Sequence, residues 1–293
     1  TIAPWMGTDL PSVNIGKTKN HGLDLEAEWN GKIGKDFRYF AKFTFSTSEN
    51  RIVFRDDPNK LDDYLKDAGK PIGYSSKYLA TGNFTSIDDI FNYTQTAISA
   101  TNQNRLVPGD LVYIDYNADG VIDDKDVVPV KNLNYPLTTY GLTLGFSWKG
   151  LSLNALFYAA TGVYKADINT FLFDFPRGNI KAQPSTLDRW TAEDADVTEV
   201  VRPAVHLDNT YNEKASTYNY SDYSYLRLKN LELSYQLPKR WTKAMRMSGC
   251  QVYVNGNNLF TISGVDSRRD PENGSAGVYP IVKRYNIGVR LSF

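Results

Sequence analysis

The chain has 293 residues, and its 33 Lys plus Arg are matched by 33 Asp plus Glu, so the formal net charge is zero. That balance argues against nucleic acid as the main partner, because binding to phosphates draws on a basic excess. The single cysteine, Cys250, excludes an internal disulfide and a cysteine zinc site, and the count of two histidines, His21 and His206, argues against a His-based metal site or triad and for solvated or strand-lining positions.

Gly22 to Trp29 alternates, with Leu23, Leu25, Ala27 and Trp29 on one side and Asp24, Glu26 and Glu28 on the other. Side chains alternate faces along a strand, so this is one apolar and one polar face. Asn30 to Asp36 reads as a turn. The second strand sets Phe37, Tyr39, Ala41, Phe43 and Phe45 against Arg38, Lys42, Thr44 and Ser46, with Phe40 out of pattern. A long polar segment, about 49–136, follows. The third strand places Tyr140, Leu142, Leu144, Phe146 and Trp148 on one face. Lys149-Gly150 turns the chain into a fourth, where Leu151, Leu153, Ala155, Phe157 and Ala159 oppose Ser152, Asn154, Leu156 and Tyr158.

A second long segment, about 161–221, holds a short helical candidate near Ser185 to Asp194. The fifth strand carries Leu226 and Leu228, then Leu231, Leu233 and Tyr235, and the phase slip at Lys229-Asn230 predicts a bulge. Leu237 to Ser248 reads as a turn. The sixth strand, around Val252 to Ile262, is blurred by Asn255, Asn257 and Asn258. After a loop over about 264–280, Tyr285, Ile287, Val289, Leu291 and Phe293 form the apolar face of the last strand, which ends on an aromatic residue.

The connections after strands one, three and five are short, and those after two, four and six are long. An antiparallel meander puts alternate connections at opposite ends, as bacterial outer-membrane barrels do. The apolar faces carry no charge, and Trp29, Phe37, Tyr39, Trp148, Trp241 and Phe293 gather near the short-turn end like an interfacial girdle. The patterned runs last about nine residues, close to the ~9–11 that cross a bilayer as tilted strands. No run of about 18 or more apolar residues exists for a spanning helix, but barrel strands escape that search. The expectation is an all-β, transmembrane antiparallel barrel. Seven is an odd count, and strands one and seven would run the same way, so further strands are expected upstream. The start at Thr1, with neither Met nor a signal peptide, fits a processed or partial chain.

Pro108-Gly109-Asp110-Leu111-Val112-Tyr113-Ile114-Asp115-Tyr116-Asn117-Ala118-Asp119-Gly120-Val121-Ile122-Asp123 resembles a hallmark loop of the SusC/RagA-like TonB-dependent transporters. Ser185 to Ala192, around Arg189-Trp190-Thr191, resembles another family segment. Ser224 to Leu231, Leu237-Pro238-Lys239 and Val252 to Thr261 are similar to the family's last strands. The matches run in family order from about Pro108 to Phe293. The resemblance implies that residues 1–293 are the C-terminal part of a barrel of about 22 strands, without the plug and TonB box that drive transport. It further implies import of glycans or peptides through the outer membrane under a SusD-like surface lipoprotein. A passive porin and a soluble, calcium-ordered carbohydrate-binding sandwich stand as alternatives.

Asp115, Asn117, Asp119, Val121, Asp123 and Asp126 have calcium-loop spacing, with Gly120 at the sharp turn; calcium, or less readily magnesium, is the expected ion. Position twelve is Asp126 where an EF-hand carries Glu. A turn whose Asp and Asn bond their own backbone reads equally well. Trp190, Tyr218, Tyr220, Tyr223 and Tyr225 are expected to cover the barrel mouth or meet the lid, or else to stack on sugar rings. Arg38, Lys42, Arg227, Arg284 and Arg290 are expected on the lumen side, balancing Asp24, Glu26 and Glu28. Glu193, Asp194 and Asp196 read as a solvated acidic face, and no nucleophile-base pair suggests an enzyme.

Overall fold

The computed structural model describes residues 15–58, 62–93, 106–130, 133–166, 184–194, 202–205, 211–265, 269–273, 279 and 281–293. Seven strands form one antiparallel sheet in the order β1 (Lys17–Ile33), β2 (Phe37–Phe54), β7 (Thr138–Trp148), β8 (Leu151–Thr161), β11 (Tyr225–Gln236), β12 (Gly249–Ser263) and β13 (Arg284–Ser292). Each strand pairs with its sequence neighbour among these seven, so the sheet is a meander. Three two-stranded sheets occupy the long connections. They pair β3 (Ser75–Lys77) with β6 (Val128–Val130), β4 (Ala80–Asn83) with β5 (Leu111–Tyr113), and β9 (Tyr164–Ala166) with β10 (Tyr220–Asp222).

The apolar residues of the seven strands share one face, and among the described residues no second sheet or helical layer covers it. Leu25 is 51% exposed, Leu233 44% and Ile287 79%. In water each such side chain would forgo about 1.5–3 kcal/mol of burial. The cluster of buried apolar residues lies elsewhere: Tyr78, Leu111, Tyr113, Ile122 and Tyr211, all in the two longest connections. A soluble sandwich has the reverse arrangement, its sheet face sealed and its loops wet. The seven-stranded sheet is therefore a wall whose oily side suits lipid.

The short-turn end carries the aromatic girdle. The rings of Phe37 and Phe146 stack at 5.8 Å, and the Trp29 indole donates to the Tyr39 hydroxyl at 3.4 Å. Tyr39 lies flat over Gly31, where a Cβ would come within 2.2 Å of its ring. Phe40, the residue out of pattern on β2, uses Gly145 in the same way on the polar face, at 2.3 Å.

Strands β1 and β2 run further than the alternation predicts, to 17 and 18 residues, and extend past the sheet at the long-loop end. The expected bulge is present, with the register of β11 shifting between Leu228 and Asn230 against both neighbours. The blurred sixth strand is a full one of 15 residues; its Asn258 takes φ +53, a left-handed conformation that Asn tolerates and a β-branched residue would resist. The helical candidate after Ser185 resolves into two 3-10 turns, Pro184–Asp188 and Ala192–Asp194. Two short α-helices complete the described fold. Helix α1 (Ile87–Asn92) starts on a Ser86–Asp89 capping box, and α2 (Lys239–Ala244) sits in the Leu237 to Ser248 turn.

Candidate functional site

The polar face of the sheet is a wall of paired groups. Lys42 and Glu26 meet at 2.8 Å across β1 and β2, and the Ser46 hydroxyl donates to Asp24 at 2.5 Å. Asn286 donates to Asn255 at 2.7 Å, and Arg290 to Gln251 at 3.1 Å. Charge balancing along the wall is thus the role of Lys42 and Glu26.

Arg227 differs from the other wall residues. Its side chain is 1% exposed. Nε donates to Thr261 Oγ1 at 2.9 Å, Nη1 to Glu272 at 2.7 Å and Nη2 to Asp270 at 2.7 Å. Glu272 also accepts from the Tyr225 hydroxyl at 2.7 Å and from the Lys229 ammonium. Three side chains of one strand therefore converge on a single carboxylate from the last long connection. Burial alone would raise the Glu272 carboxyl, but the bonds from Lys229 and Tyr225 and the charge of Arg227 outweigh it and hold it below its ordinary value. Period-two alternation keeps Lys229 on the same face as Arg227, and the bulge resets the phase only after it. Sequence reasoning placed Arg227 in the lumen but had no signal for partners over 40 residues away.

The mouth is a packed layer built from the first two long connections. Gly109 has φ +97, and a Cβ there would sit 2.6 Å from both the Trp190 ring and Ala204. Asp110 is fully buried; it accepts from Asn212 Nδ2 at 2.8 Å and from the Val107 N–H at 3.0 Å. Asn212 in turn accepts the Leu111 N–H at 2.9 Å. None of the candidate contact residues is an exposed group. Trp190, Tyr218 and Tyr220 are half-buried, Tyr218 against the loop core, and Tyr223 is fully buried with Arg269 donating to its hydroxyl. Tyr223, expected to cover the mouth or meet the lid or else to stack on sugar rings, is an internal residue of this layer.

Lys77 is also fully buried. Its ammonium lies 2.8 Å from the centre of the Tyr220 ring, and it has no hydrogen-bond acceptor among the described residues. Burial pushes its pKa down to about 7.

In the acidic loop, Gly120 takes φ +86 and Ala118 φ +57. The Asp115 carboxylate accepts the N–H groups of Asp119 at 3.2 Å and Gly120 at 2.9 Å; Asn117 accepts from Asp119 at 3.1 Å, and Asp119 from Val121 at 3.0 Å. Asp126 is buried and accepts from Tyr116 and Asp123, both at 2.7 Å. Asp123 caps the Lys125 N–H at 2.8 Å, and the Lys125 ammonium reaches Asp119 at 3.1 Å. Among the described residues no three His, Cys, Asp or Glu side chains converge as a metal site. His206 and Asp196 lie outside the described residues.

Over 317 aligned residues the chain is 25% identical to TonB-dependent receptor P3 of Formosa agariphila, covering 100% of this chain and 30% of that receptor. It is 26% identical over 303 residues to TonB-dependent receptor P26 of the same organism, covering 98% of this chain and 29% of the receptor. Among solved structures, that of the RagAB peptide transporter superposes with a TM-score of 0.70 at 24% identity, over 100% of this chain and 31% of the other. The RagAB peptide importer in its 'closed-closed' state gives 0.68 at 25% identity, again over 100% and 31%. No protein-family model matches. The chain spans about 30% of the length of the curated relatives it matches. Its fold is that of part of a TonB-dependent barrel, and the resemblance to SusC/RagA-like transporters carried by the sequence motifs is borne out.

Proposed function

We propose that the chain is wall and mouth of an outer-membrane, TonB-dependent importer of large nutrients, oligopeptides or glycans. The observation that carries this reading is the uncovered apolar face, set against a buried core that lies in the loops. A face of that kind is stable against acyl chains, and the opposite face, lined by Glu26, Lys42, Asn255 and Arg290, suits a hydrated path. The named relatives and the RagAB structures support the same reading. In the complete barrel, of about 22 strands, a plug coupled to TonB would supply the driving step. The loop layer around Trp190, Tyr218 and Tyr220 would face a SusD-like surface lipoprotein. The reading assigns no catalytic step to these residues. It is tested by uptake in cells expressing the complete transporter: a labelled oligopeptide or glycan pool should enter only with TonB present. Entry that persists without TonB would favour a passive porin.

We further propose that the loop 115–126 takes calcium. The left-handed Gly120 at the sixth position, with the Asp115 carboxylate folded over the N–H groups of residues five and six, supports it. The fit is partial, because Lys125 now neutralises Asp119 and Asp123, and an ion would have to displace it. Calcium there would order the mouth and take no part in chemistry.

A further inference from the structure

A cavity of about 620 Å³ lies where the long connections meet the polar face of the sheet. Leu156 and Tyr158 of β8 and Tyr225 and Lys229 of β11 line it, with Lys165 and Glu272 at its sides. Its size falls in the range of small-molecule sites, and its lining is largely aromatic and apolar with a few convergent charges, as such sites require.

Among the described residues those charges are biased: Lys165 and Lys229 line the cavity with Glu272, and Arg227 and Asp270 pair beside it. Arg227 commits three of its five N–H donors to Thr261, Asp270 and Glu272 and is 1% exposed, so it is closed to a guest. Lys165 reaches the carbonyls of Pro271 and Glu272 at 3.3 and 3.5 Å. Lys229 remains 31% exposed, sits 5.5 Å from the centre of the Tyr158 ring, and has three N–H donors for one carboxylate partner among the described residues. A plain latch needs only the buried arginine and its two acids. The additional cation at the cavity edge, with tyrosines beside it, is what a guest would use.

We propose that this cavity binds the carboxylate group of a transported solute, with Lys229 as its anchor, Tyr158 and Tyr225 as its walls, and Glu272 as the resident carboxylate it competes with. Lys229 and Tyr225 already hold one carboxylate by hydrogen bonds, that of Glu272. The proposal deepens the import reading and rests on it. Two sources of the group fit, the C-terminus or acidic side chain of a peptide and the uronic acid of a glycan.

Binding to the complete barrel in detergent tests it, by calorimetry with paired ligands. One pair is an oligopeptide with a free or an amidated C-terminus; the other is an oligosaccharide ending in glucuronic acid or in glucose. In at least one pair the acid form should bind about tenfold tighter, the scale of one hydrogen bond to a charged group. The pair that responds identifies the source. Lys229→Met should reduce that preference to about twofold or less while the neutral ligand binds as before, and Lys229→Arg should keep it. Glu272→Gln should strengthen acid binding, since the competitor loses its charge. Native-like mobility of each variant on unheated gels confirms folding. Equal binding of acid and neutral forms, or a preference that survives Lys229→Met, overturns the proposal, as does no binding by any ligand. TonB-dependent uptake by the same cells decides the import reading separately.

Discussion

The indole of Trp190 lies directly on Gly109, so that a Cβ on the glycine would sit 2.6 Å from the ring. The residues belong to two different long connections and to the two motifs that carry the family resemblance. The motifs are therefore two halves of one joint, completed by the Ala204 N–H donating to the Gly109 carbonyl at 3.0 Å and the Trp190 N–H to Arg202 at 2.7 Å. Gly109→Ala adds both the clash and the strain of φ +97. It should destabilise the mouth by about 2 kcal/mol or more, read as faster protease cleavage within the long connections while the sheet stays intact.

Lys77 should be a cost to the loop layer. Its amine is depressed to about 7, so between that value and the ordinary 10.5 the unfolded chain holds more protons than the folded one. Stability of the layer should rise as pH increases through that window and be level, at its lowest for this group, below it. Lys77→Met should stabilise by about 1–4 kcal/mol at neutral pH and flatten the pH dependence, as melting curves would show.

The Arg227 latch should fail in the opposite direction. The Glu272 carboxyl is held below its ordinary value of 4.5, so its stabilising contribution is complete above that pH and fades as pH falls through the lower folded value. Amide protection at residues 269–273, taken relative to the intrinsic exchange rate at each pH, should therefore fall in acid and stay level between pH 6 and 8. Arg227→Met leaves Asp270 and Glu272 without their buried partner. It should cost about 3–5 kcal/mol and free the same segment at neutral pH.

The calcium reading of loop 115–126 is checked with terbium, whose emission would be sensitised by Tyr116 and its neighbour Tyr64, 4.9 Å away. Added terbium should luminesce and be displaced by calcium, and Asp119→Asn should weaken it at least tenfold, about 1.4 kcal/mol. A signal unchanged by Asp119→Asn would leave the loop as a self-bonded turn.

The strands were legible in the sequence because a half-buried strand writes its two faces with period two, and Leu23 to Trp29 or Tyr140 to Trp148 keep that period without a break. Even the bulge at Lys229 showed as a change of phase. The full length of β2 did not, since beyond Ser46 the strand leaves the apolar zone and nothing requires alternation in Glu49 to Phe54. The mouth was legible as motifs only. That Gly109 needs Trp190, that Asn212 holds Asp110, or that Glu272 meets Arg227 depends on contacts between segments tens of residues apart, which no local pattern records. Tyr223 looked available because its neighbours are polar; it is buried, its N–H donating to the Val163 carbonyl and its hydroxyl accepting from Arg269.

The account turns on which face of the sheet meets lipid. Nitroxide labels placed one at a time from Tyr140 to Trp148, in a chain with Cys250 changed to Ala and reconstituted in bilayers, read that directly through accessibility to oxygen and to a water-soluble nickel chelate. The labels at 140, 142, 144 and 146 should favour oxygen and those at 141, 143, 145 and 147 the chelate, in strict alternation. Labels on the first set that are shielded from both reagents, or that favour the chelate, would mean the apolar face is covered by protein or open to water, and the barrel reading would be wrong.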